Sequence, residues 1–495
     1  QNYCKKMLTI QQMYSIFVLD SFALRNEQKE KRNKILKEHR MDTYTGRIET
    51  TRRGEVIVCG GGCAGVAAAI ASARSGAKTI LLEKTSVVGG TATNGLVGPF
   101  MTCFDPKGER QLVKGIFDEM IRRMEEKGGA IHPSKTGQVS AYGCYIRLRH
   151  NNLTPFQPEI LKMVMMDMLL EAGVEICLNI SILDTEKEGG RIRSVVAFDG
   201  NRLIRIEGEV FIDCTGDGLV SLKAGVPMEM EDPKGSLQPM TLFFWIYNAD
   251  DAKIEAYLSQ DEENRYLPYH KLIEEARARG EFPINRNKIG LYHMVHPGEW
   301  RLNTTRIQEL SPVEEQDMSR AYAEGLRQVE FLMDFFKTLP GLENARIAQS
   351  GAVVGVRESR RIRGLYTLTE EDLIQPVHFE DAIALCSYPV DLHPAKGAAT
   401  GTSYKKEKTD VAEVYQIPYR ILVPENADNL LVAGRCVSAT HEALGAIRIM
   451  PAVFAMGQAA GTAGAMCVKN SCRPAELDTK ALQLVLKEQG QEFLL

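Results

Sequence analysis

Three glycines, Gly60, Gly62 and Gly65, stand at the spacing G-x-G-x-x-G, a pattern whose chemistry is the holding of a diphosphate. The first permits a tight turn, the second lets backbone approach a pyrophosphate, and the third lets a helix pack on its strand. Glu83 follows at close to the roughly 20-residue interval where an acid accepts a hydrogen bond from the adenosine ribose 2′-OH. An acid there disfavours a 2′-phosphate. Far along the chain, Gly434 and Arg435 precede His441, Arg448, Met450 and Pro451. Histidine titrates near neutral pH, so His441 is the leading acid–base candidate, with Arg435 beside it; a histidine that only orients its loop is the alternative. Arg357, Arg360, Arg361 and Arg363 form a dense basic cluster. Arginine forks bind carboxylates or phosphates bidentately, which marks Arg357 for an anion; a surface paired with Glu358, Glu370 and Glu371 is the duller reading. Asp391 and His393, in YPVDLH, are a second acid–base pair or two loop residues.

The elements that must position these residues read as follows. Val56, Ile57 and Val58 suit a strand buried on both faces, and the alanine-rich run to Gly76 is a smooth helix that can lie close to a sheet. Residues 79–82 are a second buried strand ending at Glu83. Lys84 and then Gly89, Gly90 and Thr91 follow, a doublet suited to threading the chain closely past a cofactor. Residues 210–214 are a further buried strand, delivering Gly216 and Asp217 at its carboxyl end, where open α/β sheets bind ligands. Residues 429–433 are another. Pro451 opens a helix of small residues whose N-terminus carries a partial positive charge. Residues 158–172 read as an apolar helix, 142–149 as extended, and 174–178, 192–199 and 202–206 as a small antiparallel meander. From 228 to 419 the texture changes: 242–246 and 290–294 are strand-like, and 252–280 and 312–339 helical.

With these motifs in place, the chain resembles the FAD-dependent oxidoreductases of the glutathione-reductase superfamily. It is most similar to the bacterial family that joins the fingerprint to a G-x-R-E-S-R-R motif, here residues 355–361, and an A-G-R-C-x-S-A-T-H-E-A motif, here 433–443. The similarity runs from about Gly54 to Lys469. The resemblance implies an α/β fold: a Rossmann-type FAD-binding domain, a parallel sheet plus β-meander, with an inserted mixed α/β substrate domain. The expected boundaries are 1–53 for an N-terminal extension, 54–227 and 420–470 for the FAD domain, 228–419 for the insert and 471–495 for a tail helix. It also implies that the glycines 60, 62, 65, 89, 90 and 434, with Glu83, Asp217, Arg435 and the Pro451 helix, surround FAD.

Departures from the relatives refine the expectation. Disulfide reductases carry a C-x-x-x-x-C pair after the doublet, where this chain has only Cys103. Thr91, Thr93 and Asn94 occupy the place of a tethering histidine, so FAD is expected to be non-covalent. Residues 351–356 lack the spacing of a second fingerprint for NADPH, so the reductant is the substrate itself or another protein. The expected reaction is hydride transfer between a small polar substrate, anionic or sugar-like, and flavin N5, with a small-molecule or protein electron acceptor. A tRNA-modifying flavoprotein and a non-catalytic FAD-fold escort are the rival classes.

Composition sets the outer bounds. At 495 residues the chain exceeds one compact core, and 44% hydrophobic with 25% charged residues is ordinary for a globular enzyme. A net charge of −4 gives no electrostatic case for nucleic acid. The 11 cysteines stand singly, without C-x-x-C or zinc spacing, and read as reduced thiols in a cytoplasmic protein, with Cys63 and Cys103 nearest the cofactor. Residues 1–53 read as lying outside the fold. Their apolar segment, 7–24, is too polar to span a bilayer, a degenerate signal peptide is the lesser reading, and Met41 is a candidate start.

Overall fold

In the computed structural model, which describes residues 46–146, 150–230, 237–397 and 414–494, five short parallel strands carry the glycine fingerprint. They are β1 (Val56–Cys59), β2 (Thr79–Leu82), β3 (Glu175–Cys177), β4 (Val210–Asp213) and β5 (Leu430–Val432), in the order β5-β4-β1-β2-β3. All residues of β1, β2, β4 and β5 are buried, which is what an uninterrupted apolar run requires when both faces of a sheet are covered. Cys59 at the end of β1 registers with Leu82 of β2 and Asp213 of β4. The turns that follow these strands therefore leave the sheet along one edge.

Three helices organise that edge: α1 (Cys63–Arg74), α2 (His441–Ile447) and α3 (Met450–Asn470). The small residues of α3 are explained by its contact with α1. A Cβ at Gly457 would come to 2.2 Å from the Ala64 carbonyl oxygen, and one at Gly461 to 2.0 Å from that of Ala68. The two backbones touch. Because α3 is buried along most of its length, its apolar composition belongs to the protein core. Among the described residues no single helix is long and apolar enough to cross a membrane.

The meander differs from expectation at two points. Glu175–Cys177 joins the parallel sheet as β3, and its expected place in the meander is taken by Ser181–Glu188, which pairs antiparallel with Arg191–Phe198. The sequence SILDTEKE is too polar to read as a strand, because it is largely exposed. Ile48–Arg53, expected to lie outside the fold, pairs in parallel with Leu203–Glu207 as the fourth strand of that sheet. Its side chains are half-buried at best, so no apolar run announced it. The rest of the proposed extension, residues 1–45 with Cys4, lies outside the described residues. The expected extended segment at 142–149 is in part a 3₁₀ turn, Ala141–Gly143, and residues 147–149 lie outside the described residues.

Between β4 and β5 the chain builds a separate antiparallel sheet, in the order Leu291–His293, Trp300–Leu302, Phe244–Tyr247, Arg346–Ser350, and the long helix Glu315–Phe336. The expected helix over 252–280 is three pieces, Asp251–Leu258, Glu262–Tyr266 and His270–Ala278. Asp250 and Asp261 cap the first two, their side chains accepting from Lys253 N and Glu263 N. Residues 48–274 and 284–495 group as one compact unit, containing both sheets. Residues 275–283 group apart from it, and within them Arg277 lies over the Phe282 ring.

Candidate functional site

A cavity of about 1070 Å³ opens along the carboxyl edge of the parallel sheet. One end is lined by Gly60, Gly62, Glu83, Gly216, Asp217 and Gly434. Gly65 lies behind this surface: a Cβ there would sit 1.7 Å from the Gly60 carbonyl oxygen, so only glycine lets α1 start this close to β1. At Gly62 the same atom would meet no protein atom within 4 Å. Glu83 is buried, its carboxylate accepting from Gly61 N at 2.7 Å and from Thr85 N and Oγ1 at 2.8 Å. The doublet is stitched to the fingerprint by Gly89 N donating to Gly61 O at 2.7 Å, which brings Gly90 and Thr91 to the cavity wall. Arg435 Nη2 donates to Asp217 Oδ1 at 2.9 Å, and Ser359 Oγ to the same oxygen at 2.8 Å. Burial would raise the Asp217 carboxyl, but the Arg435 charge, the Ser359 hydroxyl and the Lys84 charge outweigh it and hold it below its ordinary value.

The other end is lined by Arg286, Lys288, Arg357, Asp391, His393 and Arg448. His393 Nε2 lies 3.4 Å from Asp391 Oδ2, while His393 Nδ1 is buried without a hydrogen-bond partner. Burial and then the Arg357 charge push the imidazole down to about 3, against the opposing pull of Asp391. The ring is neutral. With Asp391 accepting at Nε2, the lone pair sits on Nδ1. Asp391 itself is held well below the carboxylate range: burial works to raise it, and His393, Arg448 and Arg357 outweigh that. His150, also on the wall, is pushed down to about 4 by burial and by Lys288.

The two late sequence motifs meet here, residue by residue. Arg357 and Arg360 line the cavity, Ser359 bonds Asp217 and Arg435, and Glu358 turns away into the core. Glu358 Oε2 is 2.7 Å from His441 Nδ1 at the start of α2, and its Oε1 accepts from Gln238 N. The Gln238 side-chain oxygen in turn accepts from His393 N at 3.2 Å and Arg448 Nη2 at 3.4 Å. His441, expected at the reaction centre, is not among the residues lining the cavity, and its Nδ1 is hydrogen-bonded to a buried carboxylate. Arg435, expected to act in catalysis, is paired with Asp217 at the opposite end from His393. The arginine cluster is not one surface, since Arg361 is buried against Met230 O, Arg363 is exposed, and Glu370 and Glu371 sit in the first turn of a helix capped by Thr369.

A family model described as FAD dependent oxidoreductase matches residues 55–486. The chain belongs to the FAD-dependent oxidoreductase family. No curated protein matches it. Among solved structures it is similar to a geranylgeranyl bacteriochlorophyll reductase-like protein from Thermoplasma acidophilum, at 13% identity over 90% of this chain and 93% of that one, with a TM-score of 0.41. A flavin-dependent brominase matches at 14% identity over 88% and 83%, TM-score 0.43. The p-nitrophenol 4-monooxygenase of Pseudomonas putida DLL-E4 matches at 12% identity over 88% and 81%, TM-score 0.40. FAD is the cofactor of this oxidoreductase.

The residues at the sheet edge fit that cofactor. The open space at Gly62 admits a diphosphate to the α1 N-terminus, and the Glu83 carboxylate, on the wall beside it, has three of its roughly four acceptor sites occupied and one left for a ribose hydroxyl. At the α3 N-terminus Arg448 and Met450 line the cavity, while Pro451 is buried behind them. Gly62→Ala is expected to fold normally and lose FAD affinity, because its added methyl meets only what occupies the cavity. Gly65→Ala is expected not to yield folded protein. Flavin absorbance and circular dichroism of the two variants check this; equal flavin content in Gly62→Ala and the unmodified protein would remove the diphosphate from that position.

Burial places Cys63 on the wall with its thiol pushed up to about 12, which makes it a protonated spectator. Among the described residues no group of His, Cys, Asp or Glu could hold a metal ion. The residues that sequence reasoning missed are Arg286, Lys288, Asn303 and Tyr292, which arrive from the separate antiparallel sheet and its loops. The two buried histidines also leave a mark on stability. As pH falls below 6.5 the unfolded chain protonates His150 and His393, while the folded one resists until about 4 and about 3. The melting temperature is expected to fall from pH 6.5 to about pH 5, less steeply in His150→Gln, as calorimetry at several pH values will read.

Proposed function

We propose that this flavoenzyme transfers hydride between a carbon of a small polar substrate and non-covalently held FAD, with the substrate in the part of the cavity lined by Arg357, Asp391, His393 and Arg448. One observation carries this reading. A single cavity joins the glycine fingerprint to a neutral histidine with an unpaired nitrogen. FAD, when bound, supplies the two-electron acceptor. The chain's own residues supply the rest. Gly60, Gly62, Glu83, Lys84, the 89–91 turn, Gly216 and Asp217 hold the nucleotide half. Gly434, Arg448 and Met450, at the α3 N-terminus, hold the ring end, where the helix stabilises negative charge. Arg435 and Asp217 lock each other over the nucleotide.

His393 takes the proton that the substrate releases, through Nδ1, and Asp391 fixes the tautomer that leaves this nitrogen open. His441 and Glu358 act at one remove, holding Gln238 and through it the His393 backbone and Arg448. The test is anaerobic mixing of purified holoenzyme with a panel of hydroxy acids, sugars and polyols. Bleaching of the flavin band by one class, followed by reoxidation on addition of an acceptor, is the expected result. A yellow protein that no reductant in the panel bleaches would overturn the hydride-transfer reading.

A further inference from the structure

At the end of α3 farthest from the cavity, the helix cap brings two thiols together. Ser471 takes the left-handed conformation, φ 51°, and its amide donates to Val468 O at 3.2 Å, while the next amide, that of Cys472, reaches back to Cys467 O at 3.1 Å. This pair of bonds is a Schellman motif, in which the side chain just beyond the helix packs on the one a turn inside it. Here those two side chains are Cys472 and Cys467. With ordinary backbone dimensions, the bond from Cys472 N to Cys467 O holds the two Cα atoms to no more than about 7 Å, the span a disulfide can bridge. Burial, then the charge of Cys472 and a hydrogen bond between the two thiols, push Cys467 well above the ordinary thiol range. Cys467 is 1% exposed, whereas Cys472 is the one cysteine among the described residues that is not buried. A small oxidant can therefore reach one member of the pair, and the other waits behind it.

We propose that Cys467 and Cys472 form an oxidation site, at which a peroxide converts Cys472 to a sulfenic acid and Cys467 closes it to a disulfide. The Cys472 sulfur attacks one peroxide oxygen and gives up its proton; the O–O bond breaks, and the departing hydroxide takes that proton to become water. The Cys467 sulfur then attacks the Cys472 sulfur, the S–O bond breaks, and the hydroxyl leaves with the Cys467 proton as a second water. The two sulfurs together lose two electrons and the peroxide gains them. The order of events follows from burial: Cys467, protonated and covered, is a poor first target, but its partner's sulfur is the electrophile nearest to it. The bridge ties atoms that the cap already holds together, so it closes without unwinding α3. Neither cysteine lines the cavity, and α3, at 21 residues about 30 Å long, sets the pair at the opposite end from Met450, which does. The site stands independently of the hydride-transfer reading.

The experiment is hydrogen peroxide treatment of fully reduced holoenzyme, followed by alkylation of the remaining thiols and a tryptic peptide map without reductant. Cleavage after Lys469 separates the two cysteines into different peptides. Those peptides are expected to appear joined, lighter by two hydrogens than their sum, and to come apart on addition of a phosphine. Cys467→Ala is expected to stop at the sulfenic acid on Cys472, captured as its dimedone adduct, and Cys472→Ser to leave Cys467 reduced. The unmodified protein carries the decision on its own, so poor folding of either variant does not remove the test. Peptides that stay separate after a treatment that fully oxidises glutathione would overturn the proposal, as would sulfinic acid on Cys472 with Cys467 still free. Oxidation of Cys467 in a folded Cys472→Ser would overturn the order of the two steps and with it the role of Cys472 as the entry point.

Discussion

Replacing His393 with asparagine is expected to slow flavin reduction by substrate roughly 10²- to 10⁴-fold, the ordinary yield of a positioned general base, with FAD still bound. Asparagine keeps a polar group near Asp391 and Gln238 but offers no basic nitrogen. The pH dependence gives the sign. A base must be unprotonated to work, and His393 is held at about 3, so the unmodified enzyme should show no loss from this group between about pH 5 and 8, where a free histidine would titrate. Asp391→Ala removes the partner of Nε2, frees the tautomer and exposes the ring to the uncompensated Arg357 and Arg448 charges. Its reduction rate should fall as well. Stopped-flow reduction at matched flavin content reads both. An unchanged rate in His393→Asn would take this residue out of the chemistry and leave the cavity without an assigned base.

The sheet-edge half of the candidate site was legible in the sequence because its requirements are local. Gly60, Gly62 and Gly65 sit within one turn, Glu83 ends the next strand, and backbone geometry alone decides which residues fit. The other half is assembled from pieces far apart in the chain. Arg286 and Lys288 sit on the approach to Leu291–His293, Asp391 and His393 follow a buried strand, and nothing in the spacing of these residues says that they converge. His441 illustrates the limit most clearly. Its residue type and its neighbours in the motif pointed to catalysis, yet its ring meets Glu358, a carboxylate 83 positions away that the sequence reading assigned to a surface pair. The strands missed, Ile48–Arg53 and Ser181–Glu188, share another cause: both are half-buried or exposed, and hydrophobic periodicity reports only what must be hidden.

Glu358→Ala should be among the most damaging single changes outside the cavity wall. The Glu358 side chain is fully buried and accepts from Gln238 N and His441 Nδ1, with Arg361 at 3.9 Å. Removing the carboxylate strands the buried Gln238 amide and the part-buried His441 ring nitrogen, at about 1–3 kcal/mol each, and takes a negative charge from beside the buried Arg361. Glu358→Gln keeps the shape and one acceptor, so it should recover much of that loss; His441→Ala removes one donor along with its bond and should fall between them. Thermal melts are expected to order the three as Glu358→Ala lowest, then His441→Ala, then Glu358→Gln. Catalysis should follow the same order, because Gln238 is what Glu358 holds, and Gln238 is what holds the His393 backbone and Arg448. A structural role therefore ties the melting temperature to the rate of flavin reduction across the series. Should His441→Ala abolish reduction while melting like the unmodified protein, the two would be uncoupled, and the histidine would have to reach the substrate itself through a rearrangement that frees it from Glu358.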